Sequence, residues 1–76
     1  MIKEKVFNLI ETQLGLNPGT VNENMDLLDD LGADSIDLVE IIMLLERQYK
    51  IVITNDEQAE SRKISAILKL IESKTK

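Results

Sequence analysis

Ser35 is the residue of this chain whose type and setting come closest to chemistry. It lies in the segment L-G-A-D-S-I-D, residues 31–37, between two aspartates. A serine that acts as a nucleophile needs a base to take its proton, but the chain contains no histidine and no cysteine. The segment is not a G-x-S-x-G elbow, and no basic residue occurs between Lys5 and Arg47. We therefore predict no catalytic residue, and on the residues alone Ser35 is a helix N-cap that contributes about 1 kcal/mol.

The acidic residues around Ser35 raise the question of a metal site, because carboxylate oxygens are the ligands that Ca²⁺ prefers. A calcium loop that began at Asp29 would place Glu40 at its last position. Asp34 would then occupy the position where the loop needs glycine. We predict no dedicated metal site, and only weak, non-specific binding of divalent cations.

The charge of the chain is distributed unevenly. The formal net charge is −5, all nine basic residues lie in 3–5 or 47–76, and residues 6–46 contain nine acids and no base. Nucleic acid is excluded as a ligand, because neutralising phosphates requires clustered Lys and Arg. A surface of one sign attracts partners of the opposite sign. The alternative is that these acids only keep the protein in solution.

Apolar residues at helical spacing predict three main helices, over about 2–14, 35–49 and 62–73. A short helix is predicted at about 55–60. The Asn, Asp and Gly residues of 15–34, together with Pro18, predict a long loop that Gly15 opens. The predicted fold class is therefore all-α: a small four-helix bundle of three main helices and one short helix, with a long loop between helices 1 and 2. We expect residues 1–76 to form a single domain.

The second helix carries one apolar stripe that we expect in the core, formed by Leu38, Ile41, Ile42, Leu45 and Tyr49. Within the long loop, three leucines are expected to anchor the backbone on this core, namely Leu27, Leu28 and Leu31.

The predicted helix starts have polar residues that suit an N-cap. Ser35 or Asp34 would cap the second helix, Asn55 the short helix and Ser61 the last helix. The apolar run at 51–53 is too short and isolated to build a sheet, so we interpret it as a buried connector.

No targeting signal is recognisable at the N-terminus, and no stretch approaches the ~18 apolar residues of a membrane span. The absence of cysteine fits a reducing compartment. We expect a soluble cytoplasmic protein that is not membrane-spanning and is monomeric.

The second helix also has a face that points away from the core. Acidic and apolar side chains share this face, which includes Ile36, Asp37, Glu40, Met43 and Leu44, with Arg47 towards its end. Acids around exposed apolar residues form a docking surface, since charge sets the approach and the apolar centre supplies contact. The alternative is that the apolar residues pack under the long loop.

The segment G-A-D-S-I-D-L-V-E-I-I-M resembles the D-S-L segment of acyl carrier proteins, specifically the small stand-alone type of bacterial fatty-acid synthesis. The similarity extends over nearly the whole chain, from the first helix and Gly15 to the last helix. In that family the serine is not a catalyst. The resemblance implies that a phosphopantetheinyl transferase attaches 4′-phosphopantetheine to Ser35 through a phosphodiester. The terminal thiol of that arm would carry acyl groups as thioesters.

The resemblance also assigns roles to other residues. It implies a docking surface for enzymes of fatty-acid synthesis that have basic patches, formed by Asp34, Ile36, Asp37, Glu40, Met43 and Leu44. It implies a sheltered pocket for the acyl chain, lined by Leu28, Val39, Ile42, Leu45, Ile53 and Ala59. Core packing is the alternative for the pocket residues, and the two roles are compatible.

Three features depart from the family pattern. Arg47 stands where the family commonly has an acid on the docking helix, although a base also suits a helix C-terminus. Thr54 replaces a usual proline, and residues 59–64 lack an apolar residue that usually follows the short helix.

Two other functions therefore stay open beside that of a fatty-acid carrier. One is a carrier of the same fold for another cargo, such as a polyketide, an aminoacyl or D-alanyl group, or a specialised lipid. The other is an adaptor without cargo, which would lose nothing on Ser35→Ala. A serine hydrolase would turn over activated esters, and we expect no such turnover.

Overall fold

The computed structural model describes residues 2–75 as four helices joined by irregular segments. In chain order these are α1 (Ile2–Leu14), α2 (Ser35–Tyr49), α3 (Asn55–Ala59) and α4 (Ile64–Lys74). The predicted all-α fold, with three main helices, one short helix and a long first loop, is confirmed. Within the described residues the one extended pairing is an isolated antiparallel bridge between Asp26 and Lys63.

The core lies between α1, α2 and α4. The predicted stripe on α2 is confirmed, because four of its residues are buried and Tyr49 is half-buried. Each fully buried aliphatic side chain contributes about 1.5–3 kcal/mol of transfer free energy, and this core has fourteen apolar members. They are Val6, Ile10, Val21, Leu27, Ala33, Leu38, Ile41, Ile42, Leu45, Ile53, Ile64, Ile67, Leu68 and Ile71.

The long loop between α1 and α2 is part of this packing. It begins at Gly15, whose φ of +69° is the left-handed conformation that glycine adopts without strain. Of the three leucines expected to anchor it, Leu27 is buried and Leu28 and Leu31 are half-buried against the core. The loop therefore contributes core residues of its own.

Backbone hydrogen bonds also fix the loop to the segment before α4. The Leu27 N–H donates to the Arg62 carbonyl over 2.8 Å, and the Ile64 N–H donates to the Met25 carbonyl over 3.0 Å. The Arg62 guanidinium lies 3.4 Å from the Asp26 carboxylate and 3.0 Å from that of Asp29. These contacts close the loop over the bundle, and no local pattern in the sequence predicts them.

Two predicted caps are wrong. α3 is capped by Thr54, whose Oγ1 accepts from the Glu57 N–H, so Asn55 is its first helical residue. α4 begins at Ile64 rather than near 62, after an N-cap, Lys63, that makes no side-chain capping bond. Ser61 is instead buried, and its hydroxyl donates to the Glu57 carbonyl over 2.6 Å. Lys63 has extended backbone and pairs with Asp26, so the helix begins only after it.

The connector 51–53 is only partly buried, which corrects the prediction. Ile53 lies in the core and Ile51 is half-buried, but Val52 is 75% exposed. In extended backbone, successive side chains point to opposite sides. A three-residue connector on the surface of the bundle therefore cannot bury its middle residue.

Candidate functional site

Ser35 is the first residue of α2 and is exposed. The N-cap is Asp34, so of the two caps considered from the sequence the aspartate is the right one. Its Oδ1 accepts from the Asp37 N–H over 2.9 Å, and the Asp37 Oδ2 accepts from the Asp34 N–H over 3.2 Å. This reciprocal pair is a capping box. The D-x-x-D spacing around Ser35 was the signal for it.

The backbone that precedes Ser35 is anchored to the core. Gly32 has a φ of +73°, which turns the chain out of the loop. Ala33 then enters the core, and its N–H donates to the Leu27 carbonyl over 3.0 Å. The anchored alanine and the capping box together hold Ser35 at the surface in a defined position.

The surroundings of the Ser35 hydroxyl fit a phosphodiester. Within residues 2–75 its Oγ has no hydrogen-bond partner, and neither do the N–H groups of Ser35 and Ile36. The next two N–H groups are used, by the Asp34 side chain and by the Asp34 carbonyl. Two free donors and the positive end of the helix dipole favour an anion at this position. The carboxylates of Asp34 and Asp37 oppose this attraction, although both are already used as caps.

The face of α2 that begins at Ser35 presents apolar and acidic side chains together. Ile36 is 68% exposed and Met43 is 53% exposed, and Asp34 and Glu40 are also exposed. Asp37 is half-buried because of its capping role. The structure thus brings five of the six predicted docking residues to one end and one side of this helix.

Leu44 departs from its expected outward position. It is half-buried, and it lies with Leu9 in a groove between α1 and α2 of about 550 Å³. The helical wheel of α2 alone placed it outside, but α1 packs along that side of α2 and covers it. Gln13 of α1, which the sequence did not single out, donates from Nε2 to Glu40 Oε2 over 2.7 Å.

The six residues expected to line an acyl pocket do not share one environment. Ile42, Leu45 and Ile53 are buried and Leu28 is half-buried, all within one hydrophobic cluster. Val39 is 39% exposed and Ala59 is exposed on α3, which has no buried residue. Four of the six therefore lie together, and the other two lie at the surface.

Two features are absent from the residues that the structure describes. None of the helices in 2–75 combines the length and the apolar character that crossing a membrane requires. Over the same residues, no three acidic side chains converge as ligands for a metal ion.

Comparison with known proteins gives concordant matches. The family described as "Phosphopantetheine attachment site" matches residues 4–71. The chain is 37% identical to an acyl carrier protein of Solidesulfovibrio magneticus, over 96% of this chain and 94% of that protein. It is 44% identical to one of Chlorobium phaeobacteroides, over 93% of this chain and 87% of that protein.

Solved structures agree with these sequence matches. A Mycobacterium tuberculosis protein that is itself a proposed acyl carrier protein superposes with a TM-score of 0.91, at 25% identity, over 96% of this chain and 97% of that one. The apo doublet acyl carrier protein of prodigiosin biosynthesis superposes with a TM-score of 0.83, at 29% identity, over 96% of this chain and 35% of that one.

The family match spans most of the chain, and it includes α2 with the serine at its start. The matched domain is the phosphopantetheine attachment site of acyl carrier proteins, which are carriers and not enzymes and which interact with phosphopantetheinyl transferases and synthesis enzymes. The chain therefore belongs to the acyl carrier protein family, and its cofactor is 4′-phosphopantetheine.

Proposed function

We propose that Ser35 is the attachment point of 4′-phosphopantetheine. The observation that carries the proposal is the exposed Ser35 hydroxyl, which has no hydrogen-bond partner within residues 2–75 and sits beside two free N–H groups of the first turn of α2. The bound group supplies a terminal thiol that carries acyl groups as thioesters. The chain itself has no cysteine to do so.

Attachment needs a separate enzyme, because the surroundings of Ser35 provide no base. The two carboxylates nearest in sequence, those of Asp34 and Asp37, accept hydrogen bonds in the capping box. In the proposed reaction Ser35 Oγ forms a bond to phosphorus, and the phosphoanhydride bond to the nucleotide part of coenzyme A breaks. The Ser35 proton passes to a base of the transferase. This chain's part is to present the hydroxyl on a rigid helix start.

The docking surface that we propose comprises Asp34, Ile36, Asp37, Glu40, Met43 and Leu44. The exposure of Ile36 and Met43 supports it, because large apolar side chains left at the surface beside acids favour contact with a partner protein. A basic patch on the partner would meet Asp34 and Glu40, the two exposed acids of this set. Leu44 would contribute at the edge, where α1 half-covers it.

For the acyl chain we propose a shelter that opens within the cluster formed by Leu28, Ile42, Leu45 and Ile53. These residues are in one continuous hydrophobic core. A bound acyl chain would therefore replace contacts among these apolar side chains with contacts between the side chains and itself. Val39 and Ala59, both exposed, would lie at its rim. Since the three core residues of this set are buried, a chain could enter only if α2 and the 51–53 connector moved apart.

We propose fatty acyl groups as the cargo and the enzymes of fatty-acid synthesis as partners, with the carrier acting as a cytoplasmic monomer of one domain. The match to bacterial acyl carrier proteins over 94% and 87% of their lengths supports a stand-alone carrier. A specialised cargo is the second candidate. It is favoured by the similarity to a carrier of prodigiosin biosynthesis and by Arg47 on the docking helix.

The test is the intact mass of the protein after incubation with coenzyme A and a phosphopantetheinyl transferase. The wild type and Ser73→Ala, which alters an exposed serine on α4, should each gain one phosphopantetheine. Ser35→Ala should gain none while it keeps its helical circular dichroism. A gain on Ser35→Ala, or no gain on the wild type, would contradict the proposal. Loading of the holo protein with fatty acyl groups by an acyl transferase, compared with polyketide and aminoacyl donors, would then identify the cargo.

A further inference from the structure

The exposed face of α2 changes its charge along the helix. Its first half carries Asp37 and Glu40, whereas Arg47 is in its last turn and Lys50 follows as the C-cap. Arg47 and Lys50 are both exposed. The docking helix is therefore acidic at the end near Ser35 and basic at the other end.

The remaining acid of α2 does not offset this basic end. Glu46 is half-buried, and its Oε2 accepts from the Ile53 N–H over 2.8 Å. The Glu46 carboxylate thus binds the connector, and within residues 2–75 it forms no ion pair with Arg47. Within residues 2–75, Arg47 takes part in no ion pair, so its guanidinium is free to meet a group from outside.

A groove of about 180 Å³ joins the two ends of this face. Glu40 and Arg47 both line it, together with Met43, Leu44 and Gln13. Arg47 is seven positions after Glu40, so the two charges lie on the same side of α2 about two turns apart, roughly 10 Å along the axis. The groove has a carboxylate at one end, a guanidinium at the other and apolar side chains between them. Gln13 holds the carboxylate in place.

We propose that this groove binds an amphipathic helix of a partner protein that presents a base and an acid about two turns apart, with an apolar residue between them. The base would face Glu40, the apolar residue would contact Met43 and Leu44, and the acid would face Arg47. The inference rests on the docking role proposed above and adds a requirement to it, namely a carboxylate on the partner. A uniformly basic partner surface would place a cation against Arg47.

The change of sign also sets the direction of the partner helix. In the reversed orientation both charged contacts would be between like charges, which is unfavourable. A uniformly acidic docking face could not make this distinction. The basic end thus selects which partners bind and in which register.

The experiment compares two synthetic helical peptides. One has Arg, then Leu, then Glu, with Glu seven positions after Arg so that the spacing matches that of Glu40 and Arg47, and the other has Arg in place of Glu. Each is titrated into ¹⁵N-labelled protein at low ionic strength, because exposed ion pairs are screened by salt. The proteins are the wild type, Arg47→Glu and Lys69→Glu. Lys69→Glu is the matched control, since Lys69 is exposed on α4 and does not line this groove.

The wild type and Lys69→Glu should bind the mixed-charge peptide about threefold more tightly than the basic peptide, a size typical of an exposed ion pair. Arg47→Glu should reverse this preference. The shifted amide resonances should be those around Glu40, Met43 and Arg47. Equal affinity of the wild type for the two peptides, or the same preference in Arg47→Glu as in the wild type, would overturn the inference. So would the absence of any shift at millimolar peptide.

Phosphopantetheine loading of the same three proteins separates this inference from the proposed function. Arg47 is far along α2 from Ser35, so the peptide preference does not depend on loading. A wild type that prefers the mixed-charge peptide but is not loaded refutes the carrier function alone. A wild type that is loaded but has no preference refutes the groove alone.

Discussion

Glu11 is a buried carboxylate whose replacement tests how the long loop is held. Glu11 is 4% exposed, and its Oε2 accepts from the N–H groups of Gly19 and Val21, both over 3.0 Å. The Val21 side chain is itself in the core. Glu11→Ala would remove the acceptor and leave both backbone donors without it. We expect this variant to be among the least stable substitutions of a polar residue in the chain.

The magnitude follows from these two hydrogen bonds. A hydrogen bond to a charged group contributes about 1.5–3 kcal/mol, and the two donors share one oxygen, so Glu11→Ala should lower the free energy of unfolding by about 2–4 kcal/mol. A domain of 76 residues has a total of about 4–11 kcal/mol. With a urea dependence of about 1 kcal/mol per molar, the midpoint should fall by about 2–4 M.

The assay is urea unfolding followed by far-ultraviolet circular dichroism. Glu4→Ala is the matched control, since it removes the same charge from an exposed position on α1 and should cost no more than about 1 kcal/mol. Glu11→Gln keeps one neutral acceptor oxygen and should fall between the two. If Glu11→Ala is unfolded without urea, titration with a stabilising osmolyte gives its midpoint. A Glu11→Ala variant as stable as Glu4→Ala would refute the reasoning.

Three other predictions concern stability. Hydrogen bonds from backbone N–H groups, with smaller contributions from nearby cations, lower the pKa values of the Asp26 and Glu57 carboxyls below their ordinary values. The stability that these carboxylates contribute is fully present above their pKa values in the unfolded state. It is lost as the pH falls through their lower pKa values in the folded state. Asp26→Asn combined with Glu57→Gln should therefore lose less free energy of unfolding than the wild type between about pH 5 and pH 3. An equal loss in acid urea titrations would contradict this. Because the net charge is −5, added salt or magnesium should raise the melting temperature, and an unchanged value would count against it. Gly32 and Lys50 both have left-handed backbone, with φ of +73° and +55°. Gly32→Ala should therefore lower the free energy of unfolding by about 1 kcal/mol. Lys50→Gly should raise it by a few tenths of a kcal/mol. If the two substitutions change the free energy of unfolding in the same direction, the left-handed backbone does not explain their effects.

The helices were predictable because their signals are local. A hydrogen bond in a helix joins residues four apart, so the apolar stripe of α2 could be identified without knowing what packs on it. The end of α1 was equally clear, since Gly15 supplies the conformation that stops a helix. The start of α4 could not be predicted in this way. It is delayed by the bridge between Asp26 and Lys63, which joins residues far apart in sequence.

The candidate site was predictable in part for the same reason. The position of Ser35 at a helix start depends on the few residues around it. The half-burial of Leu44 and the hydrogen bond from Gln13 to Glu40 depend instead on how α1 packs along α2. A helical wheel describes one helix and contains no information about its neighbour.

The sequence by itself determined the fold class, the helix that begins at Ser35 and the excess of acids between residues 6 and 46. Only the tertiary structure decided which of those acids are available to a partner. Glu11 and Glu46 are turned inward onto backbone N–H groups, whereas Glu40 remains at the surface beside a groove that ends at Arg47. The physical reason is that a carboxylate's hydrogen-bond partner can be a backbone group several residues away, which only packing brings within 3 Å. Charge is a property of the residue, but its availability is a property of the fold.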